Sequence, residues 1–285
     1  MNGAESLIRS FTAAGVNVCF ANPGTSEMHL VQAVDAVPEM RAVLSLFEGV
    51  CTGAADGYGR MTGMPATTLL HLGPGLGNGI ANLHNARRAS TPVINLIGNH
   101  ALYHMDYDAP LTSDIGTLAE NVSSWVKGDS TASSLATDGM LALQSALTAK
   151  PGSAGQISTM IIPADACWNE EGAAASYINA PERRKVDDKV VSEVAHLLDN
   201  NSMILINSDG LSIEARIAAN RISEKTGCRV SMTPFPSRVD GGAGLPGCER
   251  LPYFPEQVLA ALNGVEKLIL AGAESPVSFF AYPNT

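Results

Sequence analysis

Short apolar segments with strand character alternate with helical segments along most of this sequence, and no other feature restricts the fold as strongly. Connections of this length favour parallel strand pairing, with helices on both faces of a sheet. The predicted fold class is therefore α/β, with two doubly wound parallel-sheet domains. Apolar residues make up 45% of the chain and charged residues 16%, so we expect well-packed cores. The predicted strands are Asn17–Ala21, Arg41–Phe47, Ala66–Leu70, Pro92–Gly98, Gln156–Ile162, Ser202–Asn207, Cys228–Met232 and Lys267–Ala271.

The alternation breaks down between Pro163 and Lys185, where alanine-rich and polar residues precede Pro181 and a run of charged residues. Such a composition is typical of an interdomain linker. We therefore expect a first domain over residues 1–165, a linker over 166–185 and a second domain over 186–285. The sequence stops at Ala281–Thr285, soon after a strand-to-loop transition, and this predicts a truncated second domain.

The net charge and the cysteine pattern restrict which partners the protein can have and in which compartment it is expected. The net charge of -10 argues against nucleic acid or an anionic membrane surface as a partner. The five cysteines are scattered, odd in number and free of any C-x-x-C pair, so neither a disulfide framework nor a zinc site is expected. No segment is apolar enough over a sufficient length to span a bilayer. These features together predict a cytoplasmic protein.

Three marked segments follow predicted strands of the first domain. They are the turn Asn22–Ser26, the single carboxylate Glu48 and the glycine-rich segment His71–Gly79. Ligands of open parallel sheets bind beyond the carboxyl ends of the strands, so these segments are expected to meet at one edge. A Glu between a buried strand and a buried helix is costly unless something binds it.

The glycine-rich segment does not fit a dinucleotide site. A G-x-G-x-x-G fingerprint starting at Gly73 fails at Asn78, and one starting at Gly75 fails at Ile80. The segment also follows the third strand, whereas the fingerprint should follow the first. A Rossmann cofactor site is therefore not expected here.

These segments together resemble the first domain of thiamine diphosphate-dependent enzymes of the pyruvate oxidase-like group, which includes acetolactate synthase and benzoylformate decarboxylase. The resemblance covers roughly the first 165 residues, and the second half looks like the Rossmann-like middle domain of that family. The residues that carry it are Asn22-Pro23-Gly24-Thr25-Ser26-Glu27, Phe47-Glu48-Gly49, Ala54 to Gly63 and Gly73-Pro74-Gly75-Leu76-Gly77-Asn78.

The resemblance implies a catalytic role for Glu48. In the family the equivalent Glu hydrogen-bonds N1′ of the cofactor's aminopyrimidine, which promotes removal of the proton from the thiazolium C2. Such a carboxylate must be shielded from water so that it can share a proton. The alternative is a Glu that starts a helix and is stabilised by the helix dipole.

The resemblance also implies cofactor contacts. Pro23 and Gly24 would bring backbone close to the pyrimidine, Asn78 would contact the pyrimidine side, and Gly73 and Gly75, with Gly77, would allow close approach.

Two further residues, Ser26 and His71, would face the reacting carbon as catalytic groups, since matching positions of benzoylformate decarboxylase-like members hold a Ser and a His. The alternatives are an N-cap for Ser26 and a loop-tethering hydrogen bond for His71. The aromatic stretch Tyr103 to Tyr107 is a candidate lining of the substrate entrance.

The second half of a thiamine diphosphate site is not recognisable in the sequence. The family's diphosphate domain holds Mg²⁺ through a Gly-Asp-Gly motif, and both Gly128-Asp129-Ser130 and Ser208-Asp209-Gly210 lack one glycine of it. We therefore expect no metal ligands in this chain, with Mg²⁺ bound by a domain outside it. FAD is not expected either, although Lys150 stands near the place where family members that bind FAD carry a basic residue.

The sequence thus predicts the pyrimidine-side half of a thiamine diphosphate-dependent 2-oxo acid decarboxylase or carboligase resembling the acetolactate synthase large subunit. Such an enzyme takes a small 2-oxo acid and assembles as a homodimer or homotetramer, and this chain alone is expected to be inactive. Either the chain is a fragment of a longer enzyme or a partner subunit supplies the diphosphate domain. The rival hypothesis is a non-catalytic remnant that uses the same fold for binding or assembly.

Overall fold

The computed structural model describes residues 1–148, 154–182 and 185–283. Contacts within the chain divide it into two compact units. The first contains the described residues up to Pro181 and the second those from Glu182 onward. Within the described part, no helix combines the length and apolar character that crossing a membrane would require. Lys150, the residue relevant to FAD, lies outside the described residues.

The first unit is a six-stranded parallel sheet covered by helices on both faces, in the strand order β2-β1-β3-β4-β6-β5. The strands are β1 (Val18–Asn22), β2 (Arg41–Leu44), β3 (Ala66–Leu70), β4 (Val93–Asn99), β5 (Trp125–Lys127) and β6 (Ile157–Pro163). The helices are α1 (Gly3–Ala13), α2 (Met28–Ala36), α3 (Glu48–Thr62), α4 (Leu72–Arg88), α5 (Ile115–Val122), α6 (Leu135–Leu147) and α7 (Ala164–Trp168), with short 3-10 helices over Thr25–Glu27 and Leu102–Tyr107.

Two hydrophobic cores lie on opposite faces of this sheet. One face is covered by α1, α2 and α6, and the other by α3, α4 and α5. The central strands β3, β4 and β6 are buried along their whole length, as expected of strands that helices cover on both sides. The predicted α/β class with parallel sheets is confirmed.

The second unit is a four-stranded parallel sheet in the order β10-β7-β8-β9. Its strands are β7 (Ser202–Ile206), β8 (Arg229–Met232), β9 (Glu249–Arg250) and β10 (Lys267–Ala271). Its helices are α8 (Asp188–Leu197), α9 (Ile213–Thr226) and α10 (Pro255–Leu262), with a short 3-10 helix over Ser208–Leu211.

The strand before Glu48 differs from its prediction. β2 ends at Leu44 instead of Phe47 and is not buried, because it is an edge strand that pairs, among the described strands, only with β1. The side chain of Leu44 is 74% exposed. The expectation that Glu48 follows a buried strand was therefore wrong for the chain by itself.

The segment expected as a linker packs against the first unit up to Pro181. The backbone N–H of Gly172 donates to the carbonyl of Met1, and the N–H of Ala175 donates to Ser10 Oγ at 2.9 Å. Ala175 and Ile178 also contact the core beneath α1. Composition alone did not reveal these contacts, since they depend on hydrogen-bonding groups at the N-terminal helix.

Candidate functional site

The three segments singled out in the sequence follow neighbouring strands. β2, β1, β3 and β4 are adjacent and parallel, so their carboxyl ends lie along one edge of the sheet. Beyond that edge come Glu48 after β2, Pro23 and Gly24 after β1, and His71 after β3. This is the edge at which open parallel sheets bind ligands.

Glu48 is the first residue of α3, and Asn78 of α4 reaches it. Asn78 Nδ2 donates a hydrogen bond to Glu48 Oε2 at 3.0 Å. The other carboxylate oxygen has no partner among the described residues, and the side chain is half-buried. The loop before it is held in place, because Asn22 Nδ2 donates to the carbonyl oxygen of Ser45 at 2.7 Å. The structure thus brings together the predicted catalytic carboxylate and the predicted amide.

Apolar side chains surround Glu48 without covering it. Leu46 is 95% exposed and Phe47 is 49% exposed, while Leu44 and Val50 are also exposed. The predicted shielding of Glu48 from water is therefore not provided by this chain itself. Burying such a group of apolar side chains requires another surface.

The glycine-rich segment His71–Gly79 forms the beginning of α4. The helix already starts at Leu72, so Gly73 and Gly75 lie inside its first turns and are buried. A side chain at Gly73 would collide with Ser113 Oγ, and one at Gly75 would approach the backbone of Leu70 at 3.3 Å. These close approaches are to protein atoms, and the cofactor contacts of Gly73 and Gly75 stay predictions.

The turn from β3 into α4 has an unusual backbone. Leu72 adopts φ 48°, a left-handed conformation that non-glycine residues rarely take, and its side chain is buried. Conformations of this kind cost of order 1–3 kcal/mol and occur where the surrounding structure imposes them, often at functional sites. This turn presents His71, which is the N-cap residue of α4 but makes no side-chain capping bond.

His71 is held by a carboxylate that the sequence analysis did not assign to the site. Glu27 is completely buried, and its Oε2 lies 2.8 Å from His71 Nδ1. The backbone N–H of Gly24 donates to the same oxygen at 2.7 Å. Glu27 Oε1 is buried and has no hydrogen-bond partner in the described part of the chain. A buried carboxylate with one unpaired oxygen is costly and calls for an explanation.

Gly24 is required by this same arrangement. A Cβ built on Gly24 would collide with the His71 ring, and a Cβ built on Gly98 in β4 would collide with the Glu27 carboxylate. Gly24 therefore allows the imidazole to pack against the turn. Its predicted contact with the cofactor stays a prediction, as does that of Pro23.

Ser26 lies in the 3-10 helix and does not cap the following helix. The N-cap residue of α2 is Glu27, and no side chain makes a capping bond there. Ser26 lines a cavity of about 490 Å³ together with Thr25, His29, His100, Ala101, Tyr103, His104, Ala164 and Trp168. His71 is not among the residues that line this cavity, so the structure assigns the two predicted catalytic side chains to different surroundings.

The charges of Glu27 and Glu48 each contribute to the raised pKa of a buried thiol nearby. Burial raises the pKa of Cys167 to about 12, and the charges of Glu27 and Asp165 add to the effect. Burial also raises the pKa of Cys51, one turn after Glu48, and the Glu48 charge adds to it against an opposing hydrogen bond from Ser45. Both thiols are therefore protonated at neutral pH and are not nucleophiles.

Glu27 could have been found from spacing. In the sequence, Glu27 was marked only as the last residue of the Asn22–Glu27 motif, with no role of its own. A Glu three residues after a turn residue is the pattern of a capping box, in which the Glu side chain accepts from the backbone N–H of the first residue. Gly24 and Glu27 have that spacing and make that bond. The contact with His71 has no local signal, because the two residues are 44 positions apart.

Residues 1–120 match the family model described as "Thiamine pyrophosphate enzyme, N-terminal TPP binding domain". This match covers the first 120 of the 285 residues. The matched range contains the predicted site residues and also Glu27. Among the described residues, no cluster of three or more His, Cys, Asp or Glu side chains is arranged to hold a metal ion.

Two named proteins match the chain over different lengths. The Mycobacterium tuberculosis protein named "Putative acetolactate synthase large subunit IlvX" is 52% identical over 286 aligned residues, which cover 100% of this chain and 54% of that protein. The benzoylformate decarboxylase of Pseudomonas aeruginosa is 32% identical over 112 residues, 39% of this chain and 21% of that enzyme. The chain thus spans about half the length of the relative that it matches throughout.

A solved structure shares the fold along the whole chain. The thiamine diphosphate-dependent 4-hydroxybenzoylformate decarboxylase of Rhodococcus jostii RHA1 superimposes with a TM-score of 0.83 at 22% identity, covering 100% of this chain and 54% of that one. This likeness concerns the fold.

Proposed function

We propose that this chain supplies the pyrimidine-side half of a thiamine diphosphate-dependent 2-oxo acid decarboxylase or carboligase resembling acetolactate synthase. The observation that carries the proposal is the Glu48 carboxylate. It begins α3, accepts a hydrogen bond from Asn78 through one oxygen, and its other oxygen has no partner in the described part of the chain. A family Glu at this position would need one oxygen for the aminopyrimidine. When bound, thiamine diphosphate supplies the electron sink that decarboxylation of a 2-oxo acid requires.

The residues around Glu48 fit such a cofactor. Glu48 would accept and return a proton at the pyrimidine N1′, and Asn78 would fix the orientation of the carboxylate. The Pro23–Gly24 backbone follows the neighbouring strand β1 at the same edge of the sheet. The exposed apolar side chains of Leu46 and Phe47 would exclude water from the carboxylate once another surface covers them.

The substrate side of the site would involve His71 and Ser26. An imidazole can move a proton near neutral pH, and a hydroxyl can donate to a substrate carboxylate. The cavity beside Ser26, with Tyr103 and His104 in its wall, supports the predicted role of the Tyr103–Tyr107 stretch at the substrate entrance. The neighbouring hydroxyl of Thr25 lines the same cavity and is a second candidate for this contact.

The diphosphate and Mg²⁺ would be held outside this chain. Either a longer polypeptide or a partner subunit would carry that domain, and the 54% coverage of the mycobacterial relative supports either arrangement. The apolar surface formed by Leu44, Leu46, Phe47 and Val50 would be buried in a homodimer or homotetramer. FAD has no part in this proposal. The free state of all five cysteines supports a reducing compartment, which is the cytoplasm.

Calorimetric titration with thiamine diphosphate and Mg²⁺ tests the proposal. We expect binding to the longer polypeptide encoded by extending the reading frame, or to this chain mixed with a subunit that has a diphosphate domain, and little or none to the chain alone. If the extended or assembled protein binds no cofactor, the proposal fails and the chain is a binding or assembly module. Glu39→Gln, a change at an exposed carboxylate, serves as the matched control for changes at Glu48.

A further inference from the structure

The hydrogen bond between Glu27 and His71 fixes which nitrogen of the imidazole carries the proton. We infer that Glu27 is a positioning residue that holds the proton of His71 on Nδ1 and thereby leaves Nε2 as the nitrogen that exchanges protons with a ligand. The identity of that ligand depends on the proposed function. The tautomer of His71 does not, because it is a property of this chain.

Hydrogen-bond chemistry at Glu27 favours this assignment. The backbone N–H of Gly24 is a donor in every protonation state, and it donates to Oε2 at 2.7 Å. His71 Nδ1 lies 2.8 Å from the same oxygen. An oxygen of an ionised carboxylate only accepts hydrogen bonds, so both groups on Oε2 must be donors and Nδ1 must carry its hydrogen.

The alternative is a protonated Glu27 that donates to an unprotonated Nδ1. In that case the proton of neutral His71 would lie on Nε2. Protonation at Oε1 is disfavoured, because that oxygen is buried and no acceptor lies near it in the described part of the chain. Protonation at Oε2 would give up the charge-assisted bond from Gly24. The geometry therefore favours the carboxylate with Nδ1–H, and the two states predict opposite tautomers.

The surrounding structure holds this pair in place. Glu27 is completely buried, whereas the His71 side chain is 24% exposed, so one end of the pair is closed and the other reaches solvent. Gly24 lets the ring pack on the turn, Gly98 leaves space for the carboxylate, and the left-handed Leu72 directs the chain away after His71. A ring fixed at Nδ1 by a buried carboxylate follows the logic by which an acid orients a catalytic histidine.

This arrangement has a consequence for the reaction. When His71 is protonated, its Nε2–H is the proton available for transfer, and the Glu27 carboxylate stabilises the imidazolium through Nδ1–H. After transfer, the neutral ring keeps Nδ1–H and presents an Nε2 lone pair that can accept a proton again. No change of tautomer or ring flip is needed between the two steps.

Long-range ¹H–¹⁵N correlation spectra of the full 285-residue chain test the inference. Labelled imidazoles are recorded at a pH at which histidine is neutral, and His71→Gln assigns one of the six histidine signals. We expect neutral His71 to favour the Nδ1–H form by about tenfold or more, as a hydrogen bond to a charged group implies. A His71 signal dominated by the Nε2–H form overturns the inference.

Variants separate positioning from a purely structural role. Glu27→Gln removes the charge, and we expect the Nδ1–H preference to fall by about tenfold, while Glu27→Asp restores part of it. Glu39→Gln should leave the His71 signal unchanged. An unchanged tautomer in folded Glu27→Gln contradicts the inference. If Glu27→Gln does not fold, the wild-type spectrum alone decides. Failure to bind thiamine diphosphate would refute the proposed function and leave this tautomer result standing.

Discussion

The two carboxylates at the carboxyl edge of the first sheet have opposite surroundings. Glu27 is completely buried, and its partners, the Gly24 backbone and His71, belong to the chain. Glu48 is half-buried, has Asn78 as its one partner among the described residues, and lies beside exposed apolar side chains. The chain therefore buries Glu27 by itself, whereas covering Glu48 would take another surface.

This difference suggests a division of roles. A buried carboxylate bonded to an imidazole is suited to orienting that ring, whereas a carboxylate with a free oxygen is suited to receiving a ligand. The strand order explains why the two differ. β1 and β3 are interior strands covered by helices, while β2 lies at the edge, where only β1 pairs with it. Substitutions on the two sides should therefore have different effects.

The largest expected effect on stability is a difference between truncating a leucine near Glu27 and truncating one near Glu48. Leu30, three residues after Glu27 in α2, is 1% exposed and belongs to the core, whereas Leu46, two residues before Glu48, is 95% exposed. We expect Leu30→Ala to lower the free energy of unfolding by about 2–5 kcal/mol. Leu46→Ala should change it by no more than about 0.5 kcal/mol. Urea denaturation measures both, and equal losses would show that the Glu48 side is packed within the chain.

Gly98→Ala tests whether Glu27 is enclosed. A Cβ at this position meets the Glu27 carboxylate, and because β4 is buried it cannot move away easily. We expect a loss of about 1–3 kcal/mol from overpacking. Gly57→Ala in α3 is the matched control, since its Cβ would meet nothing and an exposed helical Gly→Ala change stabilises by about 0.5–1 kcal/mol. Thermal unfolding that shows no difference between the variants contradicts the enclosed site.

The exposed apolar side chains near Glu48 should contribute to self-association. If the surface of Leu44, Leu46, Phe47 and Val50 is buried between copies, Leu46→Ser should raise the dissociation constant of the oligomer by about tenfold, a loss of about 1.4 kcal/mol. Light scattering over a concentration series measures this. A wild-type chain that stays monomeric at micromolar concentration would refute self-association through this surface.

The smallest effect concerns thiol reactivity on the two sides. Burial raises the pKa of Cys167 to about 12, with the Glu27 charge as the next contribution, whereas the rise for Cys51 near Glu48 is smaller. A raised thiol pKa means less thiolate at a given pH, so alkylation of Cys167 should be the slower of the two and should accelerate only at strongly alkaline pH. Mass spectrometry after timed alkylation checks the order, and faster reaction of Cys167 would contradict it.

The sequence predicted the features that depend on local pattern. Continuous apolar segments placed the buried strands β3, β4 and β6, and the turn signals after them placed the edge where polar residues converge. The position of β2 as an exposed edge strand was not predictable in this way. The apolar residues Leu44 and Leu46 look the same in sequence whether the chain itself or a partner covers them.

Features that depend on contacts between distant segments were missed. The bond between Glu27 and His71 joins segments that follow separate strands. The glycines after His71 resembled a loop in the sequence, although they pack against Leu70 and Ser113 in a helix. The contacts of residues 172–178 with α1 were hidden for the same reason. The roles of Glu48, Asn78, Ser26 and His71 stay predictions until they are measured.

The most direct test of the role proposed for Glu48 is the turnover of a 2-oxo acid by the extended or assembled protein at saturating thiamine diphosphate and Mg²⁺. Glu48→Gln keeps the shape of the side chain and its contact with Asn78, but it loses the ability to share a proton. We expect turnover to fall by at least ~100-fold in Glu48→Gln and to stay unchanged in Glu39→Gln. Equal turnover in Glu48→Gln and wild type would contradict the assignment of Glu48 as the pyrimidine-side catalytic carboxylate.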